Sequence, residues 1–129
     1  MARPEQSVYE QIGPEGFERL VAAFYRRVAT DPNLRPMYPE EDLVPAERRL
    51  RLFLIQFFGG PTTYSEERGH PRLRMRHSPF RIDGAARNVW VTHMLAALDE
   101  ADIPEPARTT MQTYFERTAT GLINTLFPD

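Results

Sequence analysis

Cysteine is absent from this chain, and so is lysine. Without a thiol there is no disulfide, no cysteine nucleophile, no Cys-ligated zinc, no iron–sulfur cluster and no covalent c-type haem attachment. All 16 cationic residues are arginines, the side chain suited to fixed contacts with anions. No apolar run approaches the roughly 18 residues of a membrane helix. The opening residues Met1 to Gln6 lack a signal-peptide core, so the cytoplasm is the expected location. With a formal net charge of −2 there is no bulk electrostatic case for nucleic acid. No stretch alternates with period two long enough to form a strand, and repeats, linkers and low-complexity segments are missing. What remains is 129 residues with 41% hydrophobic side chains, enough for one buried core and a single domain over 1–129.

Proline and glycine divide that chain into helices. Ser7 to Ile12 reads as a brief helix closed by Gly13-Pro14. From Glu15 to Thr30 the positions Phe17, Leu20, Val21, Phe24 and Val28 recur at spacings of three and four, the mark of an amphipathic helix. The proline-broken segment 33–39 has room for one tight turn. A helix is expected from Pro45 to Phe58, with Leu50, Phe53, Leu54, Phe57 and Phe58 on its apolar side. Residues 62–69 read as irregular, and a short helix is expected between Pro71 and Pro79. Two longer helices complete the chain, Ile82 to Ala101 capped by Asp83, and Pro104 to Leu126. The fold class is all-α.

Three histidines are the candidates for chemistry: His70, His77 and His93. No two have the HExxH spacing and no carboxylate cluster stands beside them, which argues against a zinc hydrolase. On one helix His70 and His77 would stand roughly 10 Å apart, too far to share an ion. Metal use therefore calls for a single histidine and ligands from elsewhere. A haem brings four nitrogens of its own and asks for one axial imidazole. His77 has suitable neighbours for that, with Leu73 one turn earlier, Phe80 shortly after, and Arg72, Arg74 and Arg76 alternating in between to reach a propionate. The same Arg-x-Arg-x-Arg-His run also reads as a solvated basic turn. His70 reads as a loop or helix-start residue and His93 as a partly buried structural histidine. Tyr25, Tyr38 and Trp90 form a second group, aromatic bodies whose polar tips need partners when buried.

The run Phe57-Phe58-Gly59-Gly60-Pro61, Tyr64, Gly69-His70-Pro71, Leu73-Arg74-Met75-Arg76-His77 and Pro79-Phe80 resembles, in that order, the group II truncated haemoglobins. Phe24-Tyr25-x-x-Val28, Leu34-x-x-x-Tyr38-Pro39 and Trp90 match earlier and later parts of the same family; Pro104 onwards matches only as a helical pattern. The resemblance implies a trimmed globin, a two-over-two helical sandwich holding haem b and its iron without a covalent bond. It implies His77 as the metal ligand and Tyr25, Tyr38 and Trp90 as the groups that stabilise a distal ligand. Arg76 is the expected propionate partner, with Arg72 beside it. Ala46 falls where ordinary globins often place a distal histidine, with Leu50 one turn later, so a side entrance is expected there. Phe53, Leu54, Leu73, Phe80, Met94 and Met111 are the expected pocket walls.

Such a protein binds diatomic gases: O2, CO and NO. A hydrogen bond to a charged acceptor contributes about 1.5–3 kcal/mol, and about 1.4 kcal/mol is tenfold. Each distal donor should therefore slow O2 release by roughly 10- to 100-fold, which disfavours bulk transport and favours redox chemistry of O2, NO or peroxide. The alternatives are a dedicated NO dioxygenase or peroxidase served by a reductase, a haem-based sensor, and a haem-free interaction or DNA-binding domain using the arginine runs. No membrane or nucleic-acid partner is expected, and a monomer or homodimer is.

Overall fold

The computed structural model describes residues 6–78 and 80–124. The first helix, α1 (Val8–Thr30), starts at a capping box: the Ser7 hydroxyl accepts from the Glu10 amide at 3.1 Å while the Glu10 carboxylate accepts from the Ser7 amide at 3.0 Å. It is interrupted at Gly13, whose φ of 67° and ψ of 173° form a kink that glycine adopts without strain. The expected division at Gly13-Pro14 is this kink. A single 3-10 turn, Arg35–Met37, fills the proline-rich corner. The helices α2 (Val44–Phe57), α3 (Thr63–Arg68), α4 (Leu73–His77), α5 (Gly84–Glu100) and α6 (Ala107–Gly121) follow. Asp83 caps α5 as expected, accepting from the Ala86 amide at 2.8 Å.

Two boundaries differ from the sequence reading. The segment 62–69 is not irregular but carries α3, whose only buried residue is Tyr64; a six-residue helix with one inward side chain has no periodicity to read. The last helix stops at Gly121 rather than continuing towards Leu126, and residues 122–124 are not helical. The expected stop at Pro79 and the expected end at Leu126 lie outside the described residues.

The helices stack as two layers, α1 with α2 and α5 with α6, with α1 crossing onto α5 and α6. This is the two-over-two sandwich. Its centre is Phe17, Leu20, Val21, Phe24 and Val28 of α1 against Met94 and Leu98 of α5 and Met111 and Phe115 of α6, all essentially inaccessible to water. No polar or charged residue is buried among the described residues. Burial of these large side chains is the main favourable term for a domain of this size. The short helix α4 differs from the rest. It buries no residue and takes no substantial part in the helix-on-helix packing.

Candidate functional site

Between the layers lies a cavity of about 550 Å³, in the range that holds a small molecule. Most of its wall is apolar, from Leu50, Phe53 and Leu54 of α2, Leu73 of α4, Phe80, and Phe115 of α6. Ala46 lines it too, so one stretch of wall carries only a methyl group. A second cleft of about 490 Å³, lined by Arg74, Ser78, Arg81 and residues 122–124, shares only Phe80 and Leu122 with it.

His77, the last residue of α4, faces this cavity. Its Nδ1 lies 2.7 Å from the Leu73 carbonyl oxygen, one turn back. A carbonyl can only accept, so Nδ1 carries a proton, and in the neutral ring Nε2 is the nitrogen with the lone pair. Among the described residues Nε2 has no hydrogen-bond partner. Orienting a ligating imidazole through its other nitrogen is the usual arrangement at a metal. Among the described residues no three His, Cys, Asp or Glu side chains gather to hold an ion. A bare Nε2 in an apolar crevice fits a group that brings its remaining ligands with it, as a porphyrin does.

Tyr25, Tyr38 and Trp90 bring polar aromatic tips to the cavity, which Tyr64 and Tyr114 also line. Tyr25 on α1, buried at 6% exposure, packs edge-on against Tyr38 with ring centroids 5.6 Å apart. Trp90 on α5 is held edge-on by Phe24 at 5.3 Å and by Phe115 at 5.8 Å. Burial, and then the neighbouring Tyr38, push the Tyr25 hydroxyl far above its ordinary value of 10.0. Burial also raises Tyr38, although hydrogen bonding from Tyr25 and Trp90 opposes the shift. Both phenols therefore stay protonated at neutral pH and keep their O–H donors. Tyr38 is the hub of the three. Its neighbour Glu40 pairs with Arg49 at 2.7 Å, and both side chains line the cavity half-exposed. The Glu40 carboxyl is held below its usual value, first by its own backbone amide and then by Arg49.

Eleven of the fourteen expected site residues line this one cavity: Tyr25, Tyr38, Trp90, His77, Arg76, Leu73, Phe80, Ala46, Leu50, Phe53 and Leu54. Met94, Met111 and Arg72 do not. Met94 sits one turn beyond Trp90 and Met111 one turn before Phe115, so the Trp90–Phe115 contact faces the cavity and both methionines lie behind it in the core. Arg72 is exposed at the start of α4, with a left-handed φ of 45°. Arg76 reaches the cavity, yet its donors go to the preceding loop: Nε to the Pro71 carbonyl at 2.6 Å and Nη2 to the Arg68 and His70 carbonyls at 2.8 and 3.2 Å. The sequence reading omitted Tyr64, Arg49, Arg68, Arg87 and Phe115 from the wall. Phe115 lies one turn after Met111 on α6, on the side that meets the cavity. His70 is an exposed loop residue, its Nδ1 accepting from the Arg72 amide at 3.1 Å. His93 is structural, its Nε2 2.6 Å from the Asp31 carboxylate.

The model of the bacterial-like globin family matches residues 7–124. Group 2 truncated hemoglobin YjbI of Bacillus subtilis (strain 168) is 39% identical over 124 residues, 96% of this chain and 93% of that protein. The solved hemoglobin of Chloroflexus aurantiacus superposes with a TM-score of 0.90 at 54% identity, covering 94% of this chain and 100% of its own. The truncated oxygen-avid haemoglobin of Bacillus subtilis superposes at 0.88 with 39% identity, covering 92% of this chain and 100% of that one.

Proposed function

The chain belongs to the bacterial-like globins, and within them to the group II truncated haemoglobins, a premise from which we propose that it is a slow-release O2 binder serving O2, NO or peroxide redox chemistry rather than bulk transport. As in its family, it binds haem b non-covalently and takes up diatomic gases. Haem bound in this cavity would supply an iron that takes up the gas.

His77 would hold the iron through Nε2, its ring fixed by the Nδ1–H donated to the Leu73 carbonyl. Leu73, Phe80, Phe53 and Leu54 exclude water around it. The hydroxyls of Tyr25 and Tyr38 and the indole N–H of Trp90 act as donors to a ligand that gains negative charge on binding. The placement of Tyr25, Tyr38 and Trp90 in the cavity that His77 also lines, with the two tyrosine rings edge-on, carries the reading. At about 1.5–3 kcal/mol for each bond to a charged acceptor, two such bonds would hold O2 for a long time. That a relative at this identity is described as oxygen-avid supports the same direction.

A strong peroxidase needs a base to take a proton from its substrate. The carboxylate in the cavity wall, Glu40, is a weakened base because Arg49 and its own amide stabilise the anion. Peroxide turnover should therefore be slow. Conversion of NO and O2 to nitrate needs no such base, only one electron per cycle from a reductase.

Stopped-flow kinetics test the proposal. Trp90→Leu should raise the O2 dissociation rate by roughly tenfold or more, the value of one charged hydrogen bond. An unchanged rate would remove Trp90 as a donor and the slow-release reading with it.

A further inference from the structure

We propose that Asn124 is a positioning residue for the axial imidazole, holding α4 from behind as Arg76 holds it from in front; the inference rests on reading His77 as that ligand. A helix of five residues cannot hold itself, and α4 has no fully buried side chain; its contact with the core is the partly buried Leu73. Beyond that contact, its placement depends on what grips its ends. In front, the Arg76 guanidinium ties the helix to the carbonyls of Arg68, His70 and Pro71. Behind, the tail that leaves α6 at Gly121 folds back against the segment after His77.

There one amide side chain bridges His77, Phe80 and Ile82. Asn124 Nδ2 donates to the Phe80 carbonyl at 2.7 Å and to the His77 carbonyl at 3.4 Å, while Oδ1 accepts from the Ile82 amide at 2.8 Å. The Asn124 amide in turn donates to the Ile82 carbonyl at 2.8 Å. The His77 carbonyl also accepts from the Phe80 amide at 3.0 Å, so the helix end and the loop behind it close as one unit. This needs a donor and an acceptor on one planar group close to the backbone, which asparagine has and aspartate lacks. The tail bears on the cavity directly as well, because Leu122 is part of its wall. Asn124 is therefore the point where α6 reports to the residue that holds the iron.

The test uses the haem-loaded ferrous protein. Wild type, Asn124→Ala, Asn124→Asp and Arg108→Ala are compared by resonance Raman spectroscopy in the iron–histidine stretching region and by haem loss to excess apomyoglobin. Arg108→Ala is the control for plain destabilisation, since it breaks the ion pair with Asp99 at 2.7 Å away from the site. Both Asn124 variants lose the donor, so both should shift or broaden the iron–histidine band and lose haem roughly three- to tenfold faster, the scale of one or two exposed hydrogen bonds. Arg108→Ala should leave the band unmoved. If Asn124→Ala keeps the wild-type band and haem-loss rate, or if Arg108→Ala alters them equally, the positioning role is wrong. A wild-type protein with no iron–histidine band would instead remove the His77 reading itself, a separate failure that takes this proposal down with it. Should Asn124→Ala not load haem, Asn124→Asp carries the same comparison.

Discussion

Tyr25 and Tyr38 are donors only for as long as they stay protonated, and burial secures that. The sign of the linkage is definite. Tyr25 has a folded-state pKa above its unfolded value of 10.0, so its contribution to stability is fully present below pH 10 and is lost as pH rises beyond it, where only the unfolded chain releases the proton. Tyr25→Phe should accordingly flatten the fall of the denaturant midpoint between about pH 9 and 11 relative to wild type. Two curves of equal slope would show that Tyr25 ionises as a solvated phenol. At the other end of the polarity scale, Ala46 keeps one part of the cavity wall thin. Ala46→Leu adds bulk there and should slow CO rebinding after flash photolysis while leaving the O2 dissociation rate near wild type. Rebinding at the wild-type rate would place the entrance elsewhere. At this scale pattern alone left His77, Tyr25, Tyr38 and Trp90 with bland readings; it was the resemblance that grouped them, and the structure puts all four on one cavity. The sequence was least legible for Met94 and Met111, because periodicity says that a residue is buried and not which of two buried surfaces it meets.

Among the elements, the junction of α1, the 3-10 turn and α5 is held by one carboxylate. Asp31 accepts from the Asn33 and Leu34 amides at 2.7 and 2.9 Å and meets His93 at 2.6 Å, while Arg27 of α1 lies 3.4 Å from the other ring nitrogen. His93 is one turn from Trp90 and the turn leads to Tyr38, so this junction backs the distal donors. The bond to His93, first, and then those backbone amides lower the Asp31 pKa from 3.8. A depressed carboxyl stabilises the fold above its unfolded pKa and stops doing so as pH falls through the lower folded value. Asp31→Asn should therefore be less stable than wild type at pH 7 and lose that difference below pH 3.8, as measured by thermal melts across pH. A difference independent of pH would mean that the carboxylate charge is immaterial. The elements themselves were largely readable: the Gly13 break, the Asp83 cap and the single turn among the prolines all rest on local backbone rules. Two were not. Tyr64 alone marks α3, and Leu122 continues the spacing of α6 beyond its true end because it faces the cavity wall rather than the interior of a longer helix.

For the molecule as a whole, the cavity is a large and mostly apolar space not filled by its own side chains, so its occupant and its stability are linked. A group that binds only the folded state raises stability in proportion to the logarithm of its saturation. Haem-free protein should melt well below the loaded form, and Phe115→Ala, which opens the cavity wall into the core, should cost the folded state about 3–5 kcal/mol. Equal melting of the two forms in calorimetry would contradict a role for the group in the core. Composition set the outer bounds of this account: no thiol, no strand pattern and a charge of −2 excluded more functions than any motif identified. The order of two layers around a crevice was beyond composition and came from the resemblance carried by residues 57–80.

The central claim is a bond from His77 Nε2 to iron, and His77→Gly tests it most directly. In the ferrous haem-loaded variant the iron–histidine band should vanish from the resonance Raman spectrum, and adding free imidazole should restore a five-coordinate nitrogen-ligated spectrum. A variant that keeps the wild-type five-coordinate spectrum without imidazole would contradict it.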